Sequence, residues 1–335
     1  MLKYAVMQNP GHNRVYFNSS GQLARNELAA AFSAGNISGG ANISEECFGG
    51  VEYICFESPG LSERELISLS RLSFVYAVFE VHGELLRPVL KSHSYYFPDD
   101  LNMILKYSGK TNELFTRMMI NLAVFASKFD LLDNLNMLDP VSGKGTGVFD
   151  GLICGYNSCG IEISEKLTSE AAQFFKKYLE TGKYKHTHKK ERFSGPGFKS
   201  QRYFFECARN KADQKGDKKL ACEFICGDSA NAGKYYRKNF FNIIAGDLPY
   251  GVQHDNSAFG NKMRNPAELV GACLPAWLEV LKPGGGLALS WNTFLLKREL
   301  LEQTFAAHGL EIIDFGDFSH RVDQAIMRDL IVARK

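Results

Sequence analysis

Two rhythms of apolar and polar positions divide the chain. In the first, Lys3–Gln8, Gly50–Glu57 and Phe74–Val81 are short apolar runs that predict strands. Between them, Gly21–Ala34 repeats apolar residues at helical spacing. Ser62–Ser70 opens with a serine followed three positions on by Glu65, a capping signature, so both stretches predict helices. Residues 1–100 therefore read as a small α+β domain, with no catalytic spacing and a packing or RNA-docking role.

From Ser108 onward the rhythm changes to strand and helix in alternation. Leu135–Leu138, Ser158–Ile161, Ala221–Cys226, Phe241–Ala245 and Gly286–Ser290 predict strands, and Gly147–Gly155, Ser164–Leu179, Pro266–Val280 and Lys297–His308 predict helices. Such alternation implies an α/β fold with a doubly wound, mostly parallel sheet, because right-handed crossovers place helices on both faces. Ligands of these sheets bind beyond the carboxyl ends of the strands, so the turns that follow them carry the chemistry. This second domain spans residues 101–335 and is interrupted by a segment at 181–219.

Composition narrows the class. An apolar content of 45% and a charged content of 23% suit an ordinary globular protein, and a net charge of +2 imposes no overall field toward nucleic acid or membrane. The N-terminus breaks at Asn9-Pro10-Gly11, too early for a signal peptide, and no apolar run reaches membrane-spanning length. The eight cysteines form no C-x-x-C pair, and most lie in apolar stretches, which suits reduced thiols in a cytoplasmic protein without a metal centre. His186 and His188 read as surface residues for the same reason, having no carboxylate at ligand spacing. Charge is uneven only in Thr181–Lys219, which holds 12 Lys and Arg against four acids, interleaved with aromatics. That mixture suits either an RNA backbone and unpaired bases or a solvated, partly disordered insertion.

The turns follow in order. Asp139-Pro140-Val141-Ser142-Gly143-Lys144-Gly145-Thr146 closes the first strand, with glycines that admit a ligand and a helix whose first N–H groups face it. It is not a Walker loop, since Leu138 stands where a glycine is needed; Ile104 excludes Gly109-Lys110-Thr111 likewise. Glu162 ends the second strand about 20 residues after the loop, the spacing at which an acid meets ribose hydroxyls. Asp228, followed by Ser229, ends the third, as an acceptor for an adenine amine or as a helix cap.

Asp247-Leu248-Pro249-Tyr250 ends the fourth strand. An exocyclic amine is a poor nucleophile because its lone pair is delocalised into the base. A carboxylate and a neighbouring carbonyl can each accept one of its hydrogens and turn that lone pair toward an electrophile. Proline fixes the backbone, and the tyrosine ring offers the base a stacking surface. As a catalytic group the four are Asp247, the Leu248 carbonyl, Pro249 and Tyr250.

Taken together, these residues resemble the Rossmann-like class I S-adenosylmethionine methyltransferases that modify base amines, whose motif is Asp/Asn-x-Pro-Tyr/Phe. Tyr107–Phe115 and Met119–Ala123 resemble that group's N-terminal cofactor motif, and Leu281-Lys282-Pro283-Gly284-Gly285-Gly286 the loop before its fifth strand. The match covers about residues 105–335 and is most similar to the tRNA guanine-N2 methyltransferases. Many of those carry a THUMP domain, which is not recognisable in residues 1–100. Leu248 replaces the commoner proline, leaving its backbone carbonyl as the functional atom.

The resemblance implies a seven-stranded sheet and S-adenosylmethionine as cofactor. By position, Asp139, Pro140, Ser142, Gly143, Gly145 and Thr146 would surround the methionine part, and Thr111 with Phe115 the amino-acid end. Glu162 and Ile163 would hold the ribose, and Asp228 with Ser229 the adenine. The implied partner is RNA, tRNA foremost, acted on by a monomer and contacted by Lys183, Lys185, Lys189, Lys190 and Arg192 of the basic segment. An adenine-N6 enzyme on rRNA or DNA, a non-catalytic RNA-binding relative, and a protein or small-molecule methyltransferase are the alternatives.

Overall fold

A computed structural model describes residues 1–11, 14–89, 95–107, 109–216, 218–249 and 266–335. Its first part runs β1 (Leu2–Gln8), α1 (Arg14–Ser33), β2 (Ala41–Phe48), β3 (Val51–Ser58), α2 (Glu63–Ser70), β4 (Val75–His82) and β5 (Leu85–Pro88). The strands form an antiparallel sheet in the order β2-β3-β1-β4-β5. The capping box read from Ser62 is formed: its side chain accepts from the Glu65 N–H, and Glu65 accepts from the Ser62 N–H.

The second part contains α3 (Asp100–Met103), α4 (Glu113–Ala126), β6 (Asn136–Asp139), α5 (Thr146–Ile153), β7 (Asn157–Glu162), α6 (Glu165–Thr181), β8 (Lys185–Gly195) and β9 (Phe198–Ala208). After these come α7 (Lys211–Lys215), β10 (Leu220–Cys226), a 3₁₀ turn (Ser229–Asn231), α8 (Ala232–Tyr235), β11 (Phe241–Asp247) and α9 (Pro266–Val280). It closes with β12 (Leu281–Asn292), α10 (Arg298–Ala307), β13 (Glu311–Ile312), β14 (His320–Arg321) and β15 (Met327–Arg334).

The expected doubly wound sheet is present. Its seven core strands lie in the order β10-β7-β6-β11-β12-β15-β13, with the first five parallel and β15 antiparallel to β12. Strand order reverses at β6, where the chain leaves toward β7 and returns to β11, so a crevice opens at the carboxyl ends of these strands. The sheet is ten-stranded in all: β14 pairs with β15, and the basic segment is no disordered insertion. It folds as a β8–β9 hairpin that continues the sheet beyond β10.

Helix α4 ties the two sheets together. Every residue from Phe115 to Ala126 is buried, as expected of a helix enclosed on all sides rather than along one stripe. Its hydrophobic cluster joins Val6 and Phe56 of the antiparallel sheet to Ile243, Ala288 and Leu330 of the larger one. The polar side chains on this helix accordingly take partners from inside the protein. Asn121 donates to Glu27 at 2.7 Å and to the Arg71 carbonyl at 3.0 Å. Arg117 lies 2.8 Å from both Asp150 and Asp99. Among the described residues no helix is long and apolar enough to cross a membrane.

Candidate functional site

The turn after β6 has the geometry of a ligand loop. Gly145 adopts φ +91° at the N-cap of α5, a conformation that penalises any Cβ. Gly147 is required by a close approach, because a methyl there would collide with the Asp139 carboxylate. Asp139 therefore lies over the first turn of α5, with Oδ1 accepting from the Val141 N–H at 3.1 Å. Burial pushes its pKa up to about 8, against that hydrogen bond and with the help of the nearby negative charges of Asp247 and Glu162.

Glu162 braces the loop from the next strand. One carboxylate oxygen accepts from Gly143 N at 3.0 Å and the other from Ser164 N at 2.8 Å, while Ser142 N donates to the Ile161 carbonyl at 3.0 Å. Burial raises its pKa, and the backbone donors at Ser164, Gly143 and Ile163 oppose the rise. Beside it Ile163 is 56% exposed, an apolar surface facing solvent at the mouth of the crevice. Pro140 is buried against Gly246 of β11, so the loop sits directly over the fourth strand's end. Tyr107 reaches across to Thr146, hydroxyl to hydroxyl at 2.8 Å, and the Lys144 ammonium lies 5.1 Å from its ring centre. Burial raises the Tyr107 pKa.

Asp247 is half-buried at the end of β11 and held on several sides. Thr111 donates its hydroxyl to Oδ2, and Ser290, at the same level on β12, donates to Oδ1. Arg328 of β15 is 4% exposed; its guanidinium lies 3.7 Å from Oδ2 and stacks 4.7 Å from the Phe115 ring centre. His320, opposite Arg328 in the β14–β15 pair, also packs on the Phe115 ring, with ring centres 5.0 Å apart. Its pKa is lowered, first by burial and further by the Arg328 charge. The Leu248 side chain is fully buried, its N–H donates to the Ser290 carbonyl at 2.8 Å, and Pro249 is exposed. Tyr250 lies outside the described residues.

The sequence-derived residues thus fall into four groups. Asp139, Pro140, Ser142, Gly143, Gly145, Thr146, Glu162 and Ile163 converge on one loop, with Thr111 and Asp247 hydrogen-bonded at its side. Phe115 does not reach solvent: its ring is fully buried and packs against Arg328 and His320. Ser229 is buried with its hydroxyl accepting from Trp277 at 2.8 Å, and Asp228 caps the 3₁₀ turn through Ala230 N at 2.9 Å. The five basic residues are spread along the β8–β9 hairpin rather than gathered. Strand register places Lys185 opposite Ala208, level with the amino end of β10, and Arg192 opposite Gln201, level with its carboxyl end. Lys189 lies on the opposite face from Lys190 and Arg192, by the alternation of a strand.

Ser290, Arg328 and His320 were not singled out by sequence, and Tyr107 entered only as the first residue of the Tyr107–Phe115 stretch. Ser290 could have been, as the polar residue that ends the strand beside Asp247. Arg328 and His320 come from a chain-terminal hairpin that gives no signal.

No protein-family model and no curated protein matches the chain. Among solved structures, TehB from Haemophilus influenzae is similar at 12% identity and TM-score 0.35, over 61% of this chain and 59% of that one. An rRNA methylase from Streptococcus thermophilus is similar at 12% identity and TM-score 0.33, over 61% and 91%. Pyrococcus horikoshii TYW2 in complex with MeSAdo is similar at 10% identity and TM-score 0.38, over 78% and 73%.

Proposed function

We propose that the chain is an S-adenosylmethionine-dependent methyltransferase acting on an exocyclic base amine in RNA, guanine-N2 of tRNA first. The observation that carries this reading is the placement of Asp247 beside the Asp139–Thr146 loop, each carboxylate oxygen fixed by a hydroxyl from a different element. The loop fits the cofactor by its donor set. Buried acids at Asp139 and Glu162 suit a cationic, hydroxyl-bearing ligand, the α5 N-terminus suits its carboxylate, and the exposed Ile163 suits its base. The bound cofactor supplies the electrophilic methyl group.

The chain's own residues then do the orienting. The lone pairs that Thr111 and Ser290 leave on Asp247 accept one hydrogen of the target amine, and the Leu248 carbonyl accepts the other. Burial of Leu248 and its N–H bond to Ser290 hold that peptide in place. Arg328, 3.7 Å behind Asp247, anchors its side chain where the amine begins to carry positive charge. Tyr250 is assigned to stacking on the base. Because a base in structured RNA must leave its stack to reach Asp247, the substrate is an unpaired or extruded nucleotide. Residues 1–100 are assigned to docking the RNA body.

The test is transfer of labelled methyl groups to total tRNA, rRNA and DNA in turn, followed by nucleoside analysis. N2-methylguanosine in tRNA is expected. Label confined to N6-methyladenosine would replace the base assignment, and label in no nucleic acid would remove the reading.

A further inference from the structure

Resting on the reading that the substrate is RNA, we infer that the tip of the β8–β9 hairpin, and not the lysines at its base, guides the RNA strand to the site. The register fixes the heights. Gln201 of β9 pairs with Cys226, the last residue of β10, and the strand continues through Ser200, Lys199 and Phe198. At about 3.3 Å per residue the tip therefore stands roughly 10 Å beyond the carboxyl edge of the sheet, on the side where the Asp139 loop and Asp247 lie. Lys185, on the partner strand β8, lies about 23 Å below the carboxyl edge, at the amino edge.

The chemistry changes along that length. Lower down, Arg202 pairs with Glu223, and just past the base of the hairpin Arg209 pairs with Asp213 and Lys219 with Glu206, while Lys185, Lys189 and Lys190 are exposed toward the amino edge. At the tip, Arg192 and Lys199 are exposed and share one face, diagonally across the strand pair. On the other face Phe193 and Phe198 are half-buried and meet Tyr235 edge-on, with ring centres 5.7–5.9 Å apart. The Lys234 ammonium lies 5.5 Å from the Phe198 ring centre. Tyr235 in turn abuts Gly227, next to Asp228 at the end of β10, so this aromatic group is continuous with the crevice. Exposed cations on one face and aromatic rings on the other, at the same height, offer a single strand contacts for its phosphates and a stacking surface for a base. A partner protein would gain little from two mobile cations on an otherwise polar ridge.

The experiment uses the full chain and two variants of equal charge change, R192A/K199A at the tip and K183A/K185A at the base. Binding of a fluorescein-labelled single-stranded RNA 12-mer and of bulk tRNA is followed by anisotropy against salt, and methyl transfer is measured alongside. The tip variant should lose about tenfold in affinity, with its log–log salt slope reduced by roughly 1–2. The base variant should stay within twofold of the parent. Equal losses in both variants, or none at the tip, overturn the inference. If the parent binds RNA but methylates none, the proposed function fails while the binding comparison still decides this one; a parent that binds no RNA sinks both.

Discussion

Asp139 gives the account a quantitative handle. In the cofactor-free protein its pKa stands at about 8, raised chiefly by burial, against an ordinary 3.8. A carboxyl raised on folding contributes stability that is fully present below the unfolded value, near pH 4. That stability is lost as pH rises through the folded value, near 8. Across the interval each pH unit costs about 1.4 kcal/mol, so from pH 5.5 to 7.5 the parent should lose about 2.7 kcal/mol relative to Asp139→Asn. Urea unfolding of both proteins at the two pH values measures this difference directly. The cofactor acts in the opposite sense. Its cationic groups favour ionised Asp139, so binding should expel a proton below pH 8, and affinity should rise about fivefold from pH 7 to 8 before levelling. Calorimetry in buffers of different ionisation enthalpy detects the proton, and the Asn variant subtracts the cofactor's own amine titration. Identical stability slopes in the two proteins, together with no proton release above the variant's, would refute the reasoning.

Three further outcomes are expected. Arg328→Met removes the charge 3.7 Å from Asp247. At an effective dielectric near 20 that attraction is about 4 kcal/mol, so kcat/KM should fall by roughly 10²–10³ with cofactor affinity kept, and Arg328→Lys should recover part of the loss. Gly147→Ala drives a methyl into the Asp139 carboxylate and should weaken cofactor binding at least tenfold, read by calorimetry, while leaving RNA affinity as it was. Arg117→Met strands the buried Asp150 and should cost about 3–5 kcal/mol in urea unfolding, since removing one partner of a buried pair leaves a bare charge.

The legible part of the site was legible for one reason. In a doubly wound sheet the reactive groups sit at strand ends, so a strand recognised by its apolar run names the residue after it. Asp139, Glu162, Asp228 and Asp247 were all reached this way, and Asp139, Glu162 and Asp247 lie near enough for their charges to act on one another. Where that logic did not apply, the sequence said less. Helix α4 shows no stripe because it is buried on every side, so its role as the joint between the sheets was hidden. Strand β8 has no alternation because it is an edge strand wetted on both faces, and its charges read as an insertion. Its partner β9 does alternate, with Tyr203, Phe205 and Cys207 inward against Arg202, Phe204 and Glu206. Phe115 was assigned to the cofactor by position in a motif, whereas packing uses its ring to seat Arg328. The groups that hold Asp247 come from residues 111, 290 and 328, a juxtaposition that only tertiary structure creates.

The central claim is that Asp247 orients an amine toward a methyl donor held by the neighbouring loop. Asp247→Ala, assayed side by side with the parent for S-adenosylmethionine binding and for label transfer to tRNA, tests it most directly. The account predicts cofactor affinity within a few-fold of the parent and methyl transfer reduced by at least 10³. Transfer at the parental rate in that variant would contradict it.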